Sequence, residues 1–127
     1  MAGFSDFLET AVLNHVFGGS SYTAPSTLYV ALYTAAPSDT GGGTEVSGGA
    51  YARQTGTFTV SGGTASNTAA IEYATATADY GTVVAVGVFD ASSSGNLLAY
   101  GTLTTSKSVS TGDVFRFNAS ALAITLT

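Results

Sequence analysis

The residue types that do chemistry are scarce in this chain and do not converge. There is one histidine, His15, and no cysteine, so nucleophile–base pairs and thiolate metal sites lack their members. His15 stands in an apolar-periodic stretch with no activating partner in view, and packing rather than proton transfer is expected of it. The eight Asp and Glu are scattered. Asp39 and Glu45 share a Gly-rich segment, while Asp90 and Asp113 sit at strand–turn junctions, where a carboxylate ordinarily accepts backbone hydrogen bonds. A Ca²⁺ ion would have to use Asp39 or Glu45 with backbone carbonyls, and no dense carboxylate loop supports one. No two carboxylates pair in the way glycoside hydrolysis requires, and tryptophan is absent. The run Gly41–Gly49 lacks the Lys-Ser/Thr and the following helix of a phosphate cradle. No enzymatic activity, metal or cofactor is expected.

Association is what the composition favours instead. Three cations (Arg53, Lys107 and Arg116) stand against eight acids for a net charge of −5, and charged residues make up 9% of the chain, against roughly a quarter in an ordinary soluble domain. Three cations cannot neutralise many phosphates, so nucleic acid is not an expected partner. Disorder would need low hydrophobicity with high charge, and 45% of residues are hydrophobic. A folded surface of Ser, Thr, Asn and Gly with so few charges tends to associate, which points to a homo-oligomer within a larger assembly. The seven tyrosines suit an interface or sugar-binding face and equally suit half-buried sheet positions. No basic segment followed by an apolar run opens the chain, so a cleaved secretory signal is not expected, and no apolar stretch is long enough to span a membrane.

The elements that must carry any surface are mostly strands. Val83–Phe89 is apolar on both faces: Val83, Ala85 and Phe89 on one, Val84, Val86 and Val88 on the other. Such a strand is central and covered on both sides. The polar run Asp90–Asn96 breaks it and Leu97–Leu103 resumes an extended pattern, which together read as a hairpin at the core. Phe4–Phe17 is the one helix expected, with Ser5 as N-cap, Asp6 and Glu9 near its start and Gly18-Gly19 at its end. Its stripe of Phe4, Phe7, Leu8, Ala11, Val12 and His15 should pack on the sheet or on a neighbouring subunit, with Leu13 and Phe17 widening it. Further strands are expected at Thr27–Thr34, Tyr51–Val60, Thr68–Ala74, Lys107–Ser110, Val114–Asn118 and Leu122–Thr127. The long Gly-rich loop 35–50 is of a length that is usually functional or mobile. The predicted fold is mainly β: a single domain over 1–127, with a helix in 1–19. An antiparallel, jelly-roll-like β-sandwich of about seven or eight strands fills 22–127.

Several runs are similar to a known family. They are Leu13-Asn-His-Val-Phe17, Ser26-Thr-Leu-Tyr-Val-Ala-Leu-Tyr-Thr-Ala-Ala-Pro-Ser-Asp39 and Gly43-Thr-Glu-Val-Ser-Gly-Gly-Ala-Tyr-Ala-Arg53, joined by Gly81–Asp90 and Gly95–Thr104. Together they resemble small tailed-bacteriophage virion proteins, commonly labelled phage tail fibre or minor structural proteins. The resemblance implies a non-enzymatic component of the virion, made in the host cytoplasm, whose partners are the major capsid protein or tail proteins. Two placements follow: a capsid decoration (cement) protein stabilising the assembled head, which size and low charge favour, or a tail-fibre or baseplate module contacting the host surface; a carbohydrate-active enzyme or lectin-like domain is the third reading and ranks last. In either, Leu13, Phe17, Glu45, Tyr51 and Arg53 are the expected protein-interface residues.

Overall fold

The computed structural model describes residues 2–125. Along the chain run β1 (Ala2–Phe4), α1 (Asp6–Val16), β2 (Leu28–Ala35), β3 (Thr44–Glu45), β4 (Gln54–Gly56) and β5 (Phe58–Ser61). They are followed by β6 (Thr64–Asn67), β7 (Ile71–Glu72), β8 (Gly81–Phe89), β9 (Leu97–Val109), β10 (Arg116–Phe117) and β11 (Ala123–Thr125). The expected hairpin is the centre of the molecule: β8 and β9 pair antiparallel, and β2 pairs antiparallel on the other side of β8. The sheet order is β3-β2-β8-β9-β1-β11-β6-β5, with β4 also on β2, and β7 and β10 form a separate antiparallel ribbon. The fold is mainly β with one helix and sandwich-like, as expected. Among the described residues it has eleven strands because several are only two or three residues long, and one pairing, β1 with β11, is parallel.

Strands apolar on both faces create two cores. On one face Val30, Leu32, Val83 and Val86 pack with Ile71, Tyr73, Phe115 and Phe117 from the segments around the β7–β10 ribbon. On the other, Ala31, Tyr33, Ala85, Phe89 and Leu97 form a smaller cluster. Simple alternation puts Val83 with Ala85, but the register shifts between those residues. This irregularity turns Val83 to the larger core and leaves Val84 with the smaller one. Gly87 stands where a Cβ would meet Leu97 at 2.9 Å and the Tyr33 ring at 3.0 Å, so the small core closes over a bare backbone position.

The expected strand Tyr51–Val60 is divided at Thr57. Its first part, β4, pairs with β2, and its second, β5, pairs with β6 at the far end of the sheet order. With one residue between them, the sheet must curl until its two ends meet, and one strand serving both ends makes the corner of the sandwich. Strands β1 and β6, both interior to the sheet order, escape simple periodicity: Phe4 belongs to a strand rather than to the helix, and β6 follows a two-residue Gly62-Gly63 turn. Lys107–Val109 continues β9 rather than forming its own strand.

Helix α1 begins as its sequence dictates, with the Ser5 hydroxyl accepting from Leu8 N. It does not bury its stripe. None of its residues is buried, Leu8 and Ala11 are half-buried, and His15 is exposed, its Nδ1 accepting from Tyr22 N at 3.0 Å. The reason is the tether: buried Ser5 donates its N–H to Leu98 O at 2.8 Å and its hydroxyl to Leu97 O. The helix is thus held by its first turn and stands away from the sheet beyond it.

Asn67, 1% exposed, joins three segments: its amide donates to Ala69 O and Asn118 O at 2.9 Å and its oxygen accepts from Leu122 N at 2.9 Å. Replacing it with alanine leaves those buried groups unpaired. Asn67→Ala should cost about 2–4 kcal/mol, read as a lower urea midpoint at unchanged slope.

Candidate functional site

Three of the residues expected at an interface meet in one place. Glu45, on edge strand β3, and Arg53, just before β4, form a bidentate pair, with Arg53 Nε to Oε2 and Nη2 to Oε1 both at 2.9 Å. Tyr51 donates its hydroxyl to Glu45 Oε2 at 2.7 Å and accepts from Leu32 N at 3.0 Å. The guanidinium carbon lies 3.7 Å from the Phe89 ring centroid, which covers the small core with a cation. The remaining Arg53 nitrogen, Nη1, donates to Ala91 O at 3.0 Å and Ser94 O at 2.8 Å. Arg53 therefore fixes the turn between the central strands β8 and β9 to the β3–β4 edge of the sheet. Its side chain is 8% exposed.

The electrostatics lock this arrangement. Burial raises the Glu45 carboxyl, but the hydrogen bonds from Arg53 and Tyr51 and the Arg53 charge outweigh it and hold it below the usual glutamate range. The bonds to Glu45 raise Arg53 against the opposing effect of its burial. Burial pushes the Tyr51 phenol far up despite the bond from Leu32 N, and the neighbouring carboxylate adds to the rise. Tyr51 is thus a permanent donor to Glu45.

The clamped turn is itself ordered. Asn96 donates from its backbone to Asp90 Oδ1 at 2.8 Å and from its amide to Oδ2 at 2.9 Å. These bonds, the backbone one foremost, hold Asp90 below its ordinary value. Ser94 adopts a left-handed φ of 55°, a conformation that costs a non-glycine residue energy and is fixed here by the Arg53 bond to its carbonyl. The 35–50 loop is folded onto the same edge: it contains β3, a bridge between Ser38 and Gly41, and buried Val46, whose N–H donates to Leu32 O at 2.9 Å. Gly43, at φ 72°, passes so close to the chain that a Cβ would lie 2.6 Å from Ala35 O. Asp39 carries its backbone carbonyl to Asp6 N at 2.9 Å and its carboxylate to the Tyr100 hydroxyl.

Between these loops and the helix lie two open depressions. One, about 580 Å³, is bounded by Asp6, Phe7, Asp39, Asn96 and Leu97, with Tyr33 and Phe89 at its floor. The other, about 560 Å³, lies along the helix among Phe7, Thr10, Asn14, Ser20, Ser21 and Tyr22. Asp6 and Phe7 line both. Phe7, 41% exposed and edge-to-face with Tyr22 at 6.3 Å, is the ridge between them.

The family described as Podophage GP4 fiber I protein gp80 matches this chain over residues 3–125. The chain belongs to that family. No curated protein matches it. A phage fibre protein is a structural component of the virion and meets other virion proteins. In this fibre-family chain the other two expected interface residues, Leu13 and Phe17, lie apart from the clamp. They are 58% and 82% exposed on the helix, beside Val16 at 60%. Positions 13, 16 and 17 share one side of the helix end, so three of the four most exposed large apolar residues among the described residues are contiguous; the fourth, Val60 at 72%, lies on β5. Among the described residues no group of three or more His, Asp or Glu is placed to hold a metal, and no helix is long and apolar enough to cross a membrane.

Sequence reasoning chose Glu45, Tyr51 and Arg53 but missed what they grip. The signal available was Asp90 and Asn96 flanking a Ser-Gly turn, a spacing that lets an Asx side chain close a loop. Arg53→Ala should destabilise the protein by about 2–3 kcal/mol and raise amide exchange across 90–96. The pH response follows from Glu45. Its folded pKa lies below the unfolded value of about 4.3, so its contribution is whole above that value and lost as pH falls through the folded pKa. Glu45→Gln should therefore lose less stability than the parent between about pH 5 and pH 3, measured by urea unfolding at each pH.

Proposed function

We propose that residues 1–127 act as one structural unit of a phage fibre, fixed to neighbouring virion proteins by the exposed side of α1. The carrying observation is the contiguous Leu13, Val16 and Phe17 surface in a chain that belongs to a fibre family. Apolar residues grouped on one helix side, with no charge between Thr10 and Thr34, gain by desolvation and lose nothing to charge burial. The clamp of Glu45, Tyr51 and Arg53 serves this function indirectly, by holding the 90–96 turn and the loop edge in one shape for contact. Copies of the chain associate with one another in the fibre, which the low surface charge favours.

Decoration of the head, in contact with the major capsid protein, is the second reading. Small size and low charge suit it, but they suit a fibre unit equally, and the family description favours the fibre. The two differ in abundance: a fibre unit should be far less numerous than the major capsid subunits, and a decoration protein comparable to them. Quantitative blotting of purified particles reads this ratio. Leu13→Asp and Phe17→Asp should fold normally, both sites being exposed. Each should lower incorporation roughly tenfold or more, because a charge forced into a desolvated contact costs over about 1.4 kcal/mol. Undiminished incorporation of the double variant would count against the helix as anchor.

A further inference from the structure

We propose that copies of this chain join head to tail, the Leu13, Val16 and Phe17 flank of one copy seating in an apolar pocket at the β5–β6 end of the next. The proposal rests on the fibre reading and names the neighbour that the flank meets: a second copy. The four most exposed large apolar residues among the described residues divide between the two surfaces. Three project from the end of α1, and the fourth, Val60, borders an open pocket of about 150 Å³. That pocket is lined by Phe4, Val60, Ala65 and Ile124 beside the Gly62-Gly63 turn. Apolar surface left open in this way marks a contact, and one kind of contact covers both patches.

Size and chemistry match knob to pocket. An apolar cavity of about 150 Å³ accepts a benzene ring, which is the tip of Phe17, and Phe4 stands ready for an aromatic contact with it. The Gly62-Gly63 turn has no side chains to hold off the backbone of an incoming helix end. Neither surface carries an ion. No Asp, Glu, Lys or Arg occurs between Thr10 and Thr34, between Arg53 and Glu72, before Asp6 or after Arg116, so the contact strips water from no charge. Thr64 is the one hydroxyl-bearing residue of the pocket, and a polar occupant would find few partners there.

Placement makes the contact directional. Val60 shares a face of β5 with Phe58, which packs against the large core. The register Val60–Ala65–Ile124 carries that face across β6 and β11. Helix α1 starts on the other side, at the depression floored by Tyr33 and Phe89 of the small core. Knob and pocket are thus different surfaces on opposite faces of the sheet. A flank-to-flank pair would leave both pockets open, whereas flank to pocket repeats from copy to copy, as a heterologous contact does. One seated ring holds weakly, and the high local concentration of copies in a fibre sustains it.

The test is sedimentation velocity of the purified full chain at rising concentration, where the parent should grow past the dimer. Phe17→Asp spoils the knob and Val60→Asp the pocket; both sites are exposed, so unchanged circular dichroism is expected. Each variant alone should associate roughly tenfold or more weakly. Mixed in equal amounts, the two should form a dimer that grows no further, since the mixture holds one intact pocket and one intact knob per pair. A parent that stays monomeric or stops at a dimer, a Val60→Asp that associates like the parent, or a mixture that remains monomeric would overturn the proposal. Incorporation into particles separates it from the anchor reading. Loss for Phe17→Asp with normal uptake of Val60→Asp would overturn the copy-to-copy contact and leave the flank anchored on a different virion protein. Normal uptake of Phe17→Asp, with its association in solution still lost, would overturn the anchor and leave the copy-to-copy contact standing.

Discussion

Two strands that are apolar on both faces impose the organisation of this molecule. In β2 and β8 neither the even nor the odd positions can face water, so the sheet must be covered twice. One cover is a second layer, the β7–β10 ribbon with Tyr73 and Phe115, and Tyr73 donates its hydroxyl to Val30 O at 2.7 Å across the core. The other cover has no sheet of its own. It consists of Arg53 over Phe89, the folded 38–43 segment and the β8–β9 turn. The small core is therefore roofed by loops, and the open depression over Tyr33 and Phe89 is left where the loops roof it incompletely.

The shortage of charge has the same structural root. Two of the three cations are spent within the fold: Arg53 with Glu45 and, at the surface, Arg116 with Glu72 at 3.3 Å. The second pair is exposed and adds little to stability; the first is partly buried, with the Glu45 side chain 26% exposed, and joins β3, the approach to β4 and the β8–β9 turn. The surface left over is rich in hydroxyls, with a Thr57–Thr68 pair just beyond the β5–β6 hairpin and a Thr82–Ser108 pair across β8 and β9. With so few like charges to keep copies apart, such a surface is suited to the crowded contacts of a virion fibre.

Local signals in the sequence were good guides and tertiary ones were not. The N-cap at Ser5, the acidic first turn of α1 and the β8–β9 hairpin follow from spacing alone, because their partners lie within a few residues. The bulge that turns Val83 over is set by β9, a second strand whose register the sequence of β8 does not contain. The break at Thr57 arises because the two halves of one extended run answer to different neighbours. The helix stripe reads as packing on the sheet or on a neighbouring subunit, and within the chain the Ser5 tether holds only its first turn to the sheet. Glu45, Tyr51 and Arg53 were legible as a group because they are near in sequence. Their grip on Ala91 and Ser94, about forty positions on, has no local trace.

The proposed fibre role rests on the exposed apolar flank of α1 at Leu13, Val16 and Phe17. The most direct measurement is a cryo-electron microscopy map of the intact phage particle in which this fold can be placed. The account predicts density for the chain on the tail, with the C-terminal half of α1 packed against a neighbouring virion protein. Density over the capsomers of the head, or a helix flank facing bulk solvent, would contradict it.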